Sequence, residues 1–387
     1  MERTFILYRK YIFLYKLTFF FSILLLYLAP LLVIAQDIYR SDQYLFKLNT
    51  ITDKLNRPWG LAFLPNGDFL ITERVGRLRI VKNGQLDPNP IVGLPKNIFV
   101  KGQGGLLDVA IHPEFATNNL VYISYAGGDE NNASTEVAKG RLVNNNLEDT
   151  ETIFIAEPKT EGSLHYGSRL VFAADGTLYI TTGDRYDRLH DAQKPSNHLG
   201  SIIRINDDGT IPKDNPFLGH KTIQAEVYSY GHRNPQGITI RPSDQTIWSH
   251  EHGPRGGDEV NKLKPGANYG WPAITYGIDY SGEIISDKTH SHGMEQPIVY
   301  WDPSIAPSGM AFYTGNQFPQ WKGNLFIGAL VSKHLRRIVM KGDKIIKQEI
   351  LLEGTARIRD VRNGPDGYLY ILTDEKNGKL LRLEPIN

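Results

Sequence analysis

Asp366-Gly367-Tyr368-Leu369-Tyr370-Ile371-Leu372-Thr373, followed after a short loop by Lys379 to Leu383, is the stretch from which the fold can be read. An Asp-Gly turn leads into a short alternating run of strand formers that ends in a hydroxyl residue, and a second such run follows. The same kind of unit, a polar turn and a short alternating strand ending in Thr, Ser or Gly followed by a second strand, occurs five more times. It stands at Asn66 to Thr72 followed by Arg77 to Val81, at Asn119 to Ser124 followed by Gly140 to Val143, and at Asp175 to Thr181 followed by Ser201 to Ile205. It returns at Asp244 to Ser249 followed by Glu259 to Leu263, and at Gly323 to Gly328 followed by Leu335 to Val339. Each unit is too short to bury a face alone, so neighbours must stack to make a core. Six units over about 350 residues leave room for roughly four strands each, the content of a propeller blade. The pattern predicts an all-β, six-bladed β-propeller. A flat sandwich would give no reason for the same unit to recur six times.

Composition agrees and narrows the chemistry. The 387 residues include 37 Gly, 22 Pro and 20 Tyr but only 4 Met, a turn-rich profile that excludes a helical bundle. Lys and Arg number 43 against 42 Asp and Glu, and the formal net charge of +1 lacks the cationic footprint of nonspecific nucleic-acid binding. With no cysteine, disulfides, zinc ribbons, iron–sulfur clusters and thiol nucleophiles are excluded. Chemistry falls to His, carboxylates, Arg, Lys, hydroxyls or a bound cofactor.

Residues 1–36 read differently. Arg3, Arg9, Lys10 and Lys16 precede an uncharged stretch from Leu17 to Ala35, with Val33 and Ala35 placed as at a peptidase site. This is the pattern of an export signal cut after Ala35 or Gln36, the alternative being an uncleaved anchor. Either way the propeller, residues 37–387, is expected outside the cytoplasm, periplasmic or secreted, with no membrane span after processing.

The longest interruptions fall between the third and fifth units, where unusual residues gather. His165 lies in the loop entering the third unit and Asp184 at the end of the strand that follows. A carboxylate on one imidazole nitrogen would free the other as a general base; a surface His beside an unrelated Asp is the bland alternative. In Gly231-His232-Arg233-Asn234-Pro235, Arg233 offers a planar fork for a carboxylate or carbonyl oxygen, or pairs with a neighbouring blade. In Ser249-His250-Glu251-His252-Gly253-Pro254-Arg255-Gly256-Gly257-Asp258-Glu259, the two histidines could share a strand face, but carbonyls and carboxylates suit a hard ion such as calcium better. A salt-bridged loop is the plain reading. Arg357 and Arg359 alternate along a strand, so something anionic must lie between them, an acidic ligand or an acidic loop. Gln103 lies in a glycine-rich loop and alone says little.

Taken in order, these segments resemble the soluble quinoprotein sugar dehydrogenases of the glucose/sorbosone dehydrogenase family, the periplasmic aldose branch most of all. The resemblance runs from Arg57 to Leu383 and is carried by GQGGLLDVAIHPEF from Gly102, HYGSRL from His165, IPKDNPF from Ile211 and GHRNPQG from Gly231. EHGPRGGDE from Glu251, NYGWP from Asn268, APSGMAFY from Ala306 and the segment from Arg357 to Glu375 complete it. It implies a six-bladed propeller that uses pyrroloquinoline quinone (PQQ) and Ca²⁺ to oxidise aldose sugars at C1 to the lactone, passing electrons to an external acceptor. It implies that His165 is the base, oriented by Asp184, with hydride passing to the quinone. Arg233 and Asn234 would contact the quinone oxygens, and Gln103, Arg357 and Arg359 would hold the tricarboxylate. Gly253 and Pro254 carbonyls would ligate the cofactor's calcium, with Asp279 near a further ligand position and Glu259 and Tyr269 at a second, structural calcium. A family lysine aligns with Val331, so Lys333 is the candidate after a two-residue shift. Leu164 replaces the acidic residue of the glucose-specific branch, and the short loop from Tyr280 to Trp301 implies a monomer with an open pocket. Two other classes compete: a calcium-dependent propeller lactonase, which would not need Arg233, Arg357 and Arg359 converging, and a non-catalytic binding module, which has no reason to keep His165, Asp184, Arg233 and Asn234 together.

Overall fold

The computed structural model describes residues 37–386, so the export segment read at residues 1–36 lies outside the described residues. Each of the six sequence units supplies the second and third strands of one antiparallel sheet. Blade 1 runs β3 (Pro58–Phe63), β4 (Phe69–Glu73), β5 (Arg77–Lys82) and β6 (Gln85–Leu86); blade 2 runs β7 (Leu106–Ile111), β8 (Leu120–Gly128), β9 (Ala133–Val143) and β10 (Asn146–Ile155). Blade 3 comprises β11 (Leu170–Phe172), β12 (Leu178–Thr181), β13 (Ser201–Ile205) and β14 (Val227–Tyr230), and blade 4 comprises β15 (Pro235–Ile240), β16 (Ile247–Glu251), β17 (Asp258–Lys262) and β18 (Val299–Trp301). Blade 5 is β19 (Pro307–Phe312), β20 (Leu325–Ala329), β21 (His334–Lys341) and β22 (Lys344–Leu351). Blade 6 is β23 (Ile358–Asn363), β24 (Leu369–Thr373) and β25 (Gly378–Ile386), completed by β2 (Leu45–Leu55) and β1 (Ile38–Arg40) from the start of the described chain. Pairing of β2 with β25 joins the two ends of the circle and leaves no blade with a missing strand.

The first strands form a closed ring, β3 against β7, β11, β15, β19, β23 and back to β3. The burial pattern follows from this radial order. β24 is buried at every position, whereas β22 at the rim is mostly exposed, with only Leu351 buried. Apolar side chains from facing sheets make one cluster at every blade joint. Leu70, Leu78 and Val109 meet between blades 1 and 2, and Phe46, Phe326, Leu369 and Leu383 between blades 5 and 6.

The hydroxyl that closes three of the six sequence units now has a physical reason, and other side chains make the equivalent contact in the remaining blades. Thr72 Oγ donates to the carbonyl of Leu107, Ser124 Oγ to that of Ser168 at 2.6 Å, and Thr181 Oγ to that of Pro235 at 2.9 Å, each crossing to the next blade. At blade 4 the imidazole of His250 bonds the Ser308 carbonyl, and at blade 5 Ser308 Oγ reaches the Ile358 carbonyl. The circle closes where the Leu61 N–H donates to Asp360 at 3.1 Å. The loops that enter the first strands and leave the second strands therefore gather at one end of the ring.

Phe46 tests the closure: it lies on β2 and is fully buried among Phe318, Trp321 and Leu383. Phe46→Ala should cost about 3 kcal/mol or more in urea unfolding, while Ile346→Ala on the exposed rim should change stability by less than about 0.5 kcal/mol.

Candidate active site

His165 sits in the loop entering β11, with a left-handed backbone, φ 51°. Its chain is clamped from two sides. The backbone N–H donates to Gln103 Oε1 at 2.9 Å, and the carbonyl is packed so tightly on Gly183 that a Cβ there would lie 2.2 Å from it. Asp184 follows β12 by three residues, and its Oδ1 lies 2.7 Å from His165 Nδ1. The other carboxylate oxygen accepts the indole N–H of Trp271 at 2.7 Å, and the Tyr186 N–H donates to Oδ1 at 2.9 Å. An acceptor-only carboxylate puts the proton on Nδ1 and leaves the Nε2 lone pair free.

Both groups are buried, His165 4% exposed and Asp184 0%. Burial holds the His165 imidazole below its ordinary 6.5, and the nearby Arg233 charge adds to this while Asp184 opposes it. Burial pushes Asp184 up, but the His165 contact, Arg233 and the Tyr186 N–H outweigh it and keep the carboxylate ionised. The pair therefore holds an oriented, unprotonated base at neutral pH.

Arg233 and Asn234 occupy the entry to β15. The Arg233 guanidinium donates to the carbonyls of His252 at 3.1 Å and Gly253 at 2.7 Å, and lies 5.3 Å over Trp271 and 5.8 Å over Tyr280. Its own carbonyl accepts the Asp184 N–H at 2.8 Å. Asn234 is buried, its Oδ1 accepting from the Gly167 N–H at 3.1 Å.

Beside these groups opens a cavity of about 350 Å³. Its polar lining includes Gln103, Gln236, Arg357 and Arg359, and sequence reasoning missed three further charged members, Arg57, Arg74 and Asp374. Four arginines and one aspartate leave it with a net of three positive charges. Trp59, Leu107, Tyr280 and Val331 supply flat or apolar walls. The anion needed between Arg357 and Arg359 is supplied by the protein: Asp374 Oδ2 accepts from both, at 3.2 and 3.1 Å. Arg359 is nevertheless incompletely used, since its Nε is buried without a hydrogen-bond partner. The missed residues had a positional signal. Arg57 precedes β3 as Arg233 precedes β15 and Arg357 precedes β23, while Asp374 directly follows the closing Thr373.

Val331 lines the cavity, whereas Lys333 is exposed at a left-handed turn position, φ 48°, and is not among the lining residues. His250 and His252 do not converge on a point either: their Nε2 atoms bond separate carbonyls of β19, Ser308 and Pro307. Among the described residues no three His, Asp or Glu side chains converge as a metal cluster. A second, smaller cavity of about 10 Å³ is lined by Arg233, Glu251, Gly253, Glu259 and Tyr269. Burial and the adjacent Glu251 push Glu259 up to about 8. The Tyr269 ring stacks on His232 with centroids 4.6 Å apart, and its hydroxyl donates to the Lys262 carbonyl at 2.8 Å. Pro254 is buried next to Gly253, and Asp279 is engaged in its own turn, accepting the Ser281 N–H at 2.8 Å.

A propeller whose loop end joins a carboxylate-oriented imidazole to an arginine-lined cavity has the layout of an enzyme site, with a candidate base beside a cationic pocket. Comparison with known proteins places it more closely. The family model described as Glucose / Sorbosone dehydrogenase matches residues 55–382, and the chain belongs to that family. It is 44% identical over 368 residues to aldose sugar dehydrogenase YliI of Escherichia coli, covering 93% of this chain and 98% of the relative. The crystal structure of the soluble aldose sugar dehydrogenase from Escherichia coli in the apo-form superposes with a TM-score of 0.85 over 88% of this chain and 100% of that one, at 44% identity. The PQQ-bound aldose sugar dehydrogenase from Streptomyces coelicolor gives 0.73 over 88% and 98%, at 28% identity.

The electrostatics predict a titration. In the cofactor-free protein the His165 imidazole should protonate with a midpoint below 6.5, read by NMR of the ring protons, so the base is lost only as pH falls through that lowered midpoint. Asp184→Asn removes the one charge that favours the imidazolium and should move the midpoint lower still.

Proposed function

We propose that this chain is an exported, PQQ-dependent aldose sugar dehydrogenase that oxidises the sugar at C1 to the lactone and hands electrons to an external acceptor. The observation that carries this reading is the adjacency of the His165–Asp184 pair to a cavity lined by Arg57, Arg74, Arg357 and Arg359. Three net positive charges, flat walls and an unpaired Arg359 Nε suit a planar tricarboxylate. A lactonase has no use for such a lining.

Arg357, Arg359 and Gln103, with Arg57 and Arg74 beside them, would hold the cofactor's carboxylates. Arg233 and Asn234 would face its quinone oxygens. When bound, PQQ supplies the acceptor for the hydride that leaves C1. His165 Nε2 takes the proton of the C1 hydroxyl, and Asp184 fixes the ring and stabilises the imidazolium that results. The Arg233 guanidinium stabilises negative charge that develops in front of it.

The donor chemistry next to Arg233 also suits Ca²⁺, which prefers oxygen ligands. Gly253 and Pro254 carbonyls would hold the ion that serves the cofactor, with Asp279 on the adjoining loop. Glu259, beside Glu251 and Tyr269 in the ion-sized cavity, would serve a structural ion, since two buried carboxylates this close favour a shared divalent cation. Residues 1–36 would direct export and residues 37–387 would form the monomeric catalytic domain.

Purified protein loaded with PQQ and Ca²⁺ should reduce a redox dye in the presence of aldoses. His165→Ala should lower kcat by about a hundredfold or more with PQQ binding retained, and Arg359→Ala should lose PQQ binding itself, read by tryptophan fluorescence. Lactone cleavage without the quinone, or dye reduction indifferent to both variants, would overturn the assignment.

A further inference from the structure

The two residues after Asp184 are both left-handed, with φ 59° at Arg185 and 66° at Tyr186. For residues bearing a Cβ this conformation is disfavoured, and a bulky ring makes it worse, so something must hold the pair in place. Arg185 is the anchor. It is buried, and its guanidinium lies 3.7 Å over the Tyr166 ring and donates to Gly162 O at 2.8 Å, to Leu164 O, and through Nε to Thr160 Oγ1 at 3.2 Å. Tyr186 is fixed in turn by its N–H bond to Asp184 Oδ1, the oxygen that also faces His165.

What the strain achieves is the placement of one ring. The Tyr186 ring meets the His165 imidazole at a centroid distance of 5.2 Å and an interplanar angle of 74°. Yet the residue is 36% exposed while its two partners are buried, and its hydroxyl makes no hydrogen bond among the described residues. Burial of the ring therefore does not explain the strained backbone. Strained, over-determined backbone of this kind is a feature of sites that position a ligand. Gln103, exposed on the same loop end and bonded to the His165 N–H, gives the base a polar flank; Tyr186 gives it an aromatic one.

We infer that Tyr186 is a specificity-determining residue whose exposed ring packs against the C–H face of an aldose ring while the C1 hydroxyl of that sugar addresses His165. The tyrosine hydroxyl is left to bond a sugar hydroxyl. An aromatic face with a polar handle matches a pyranose, which presents apolar C–H groups on its faces and hydroxyls at its edge. The inference rests on the aldose-oxidising reading and adds the substrate-side contact to it. Because such packing persists from bound substrate to transition state, its loss belongs in KM more than in kcat.

The test uses Tyr186→Gly and Tyr186→Phe in the PQQ- and calcium-loaded protein, with glucose as probe. Glycine accepts φ 66° without strain, so Tyr186→Gly should unfold at the same temperature as wild type or higher. Its KM for glucose should rise about tenfold, equivalent to about 1.4 kcal/mol, with kcat within about threefold and PQQ affinity, read by tryptophan fluorescence, unchanged. Tyr186→Phe keeps the ring and should raise KM only about two- to threefold. A Tyr186→Gly variant whose KM stays within about twofold of wild type, or whose kcat and PQQ affinity fall together with its unfolding temperature, overturns the inference while leaving the dehydrogenase reading intact. Wild-type protein that oxidises no aldose overturns both.

Discussion

Arg169, buried where the blades converge, is the contact on which the rest of the architecture turns. It leaves the chain at the entry to blade 3 and reaches four other blades. Its guanidinium faces Asp108 of blade 2 at 3.3 Å and Asp360 of blade 6 at 3.1 Å, and donates to Gln236 O of blade 4 at 2.9 Å and to Arg359 O of blade 6 at 2.8 Å. The ring of Trp59 from blade 1 lies under it at 4.0 Å. Arg362 completes the set by bonding Asp108 at 2.8 Å and Asp360 at 2.9 Å, so two cations and two anions balance with little help from solvent. Desolvating four charges is costly, and an apolar plug of equal volume could be as stable. What an apolar plug would not do is dictate which backbone carbonyl meets which blade. The charged hub requires particular partners, and three of them also line the cavity.

That coupling is direct. Trp59, Gln236 and Arg359 each touch the hub and also line the 350 Å³ cavity. Gln236 carries the geometry across. Its amide donates to Asn234 Oδ1 at 3.3 Å and Gly167 O at 3.2 Å, while its oxygen accepts from Arg359 at 3.1 Å. The loop that holds His165 and the strand that holds the arginines are thereby tied through one side chain. A side chain on a blade-entry loop would ordinarily be mobile; here the neighbours of His165 are bonded into a buried part of the molecule.

The circular repeat was legible because it is written in local sequence: a polar turn, alternating strand formers, a terminal Thr, Ser or Gly. Three of the closing hydroxyls, those of Thr72, Ser124 and Thr181, proved to be blade-to-blade donors, a role that no single unit reveals. The closure by β2 was not legible, since Leu45–Leu55 carries no repeat turn and is recognised only by its partner β25, more than three hundred residues away. In the site, the His165–Asp184 pair could be proposed because the repeat puts both at one end of one blade. Arg57, Arg74 and Asp374 could not, each being a single residue in an ordinary context whose meaning comes from convergence across blades 1 and 6. Lys333 is reached in the sequence by a two-residue shift along the same loop; in the structure it is exposed at a left-handed turn position, while Val331 lines the cavity.

The charges also explain how one loop end can hold a base and a cluster of cations without disabling the base. Burial and, after it, Arg233 lower the proton affinity of His165, and Asp184 raises it, so the imidazole of the cofactor-free protein is a weak base. Any anionic group seated before Arg233 and the cavity arginines offsets the Arg233 charge and leaves the pull of Asp184 in place. Negative charge accumulating in front of Arg233 therefore strengthens His165 as a base just where charge develops. Asp374 limits the same effect from the far side: by neutralising Arg357 and Arg359 in part, it keeps four converging guanidiniums from repelling one another out of the cavity. The protein thus holds its arginines together with one carboxylate and leaves a net positive field for the remainder of the ligand to meet.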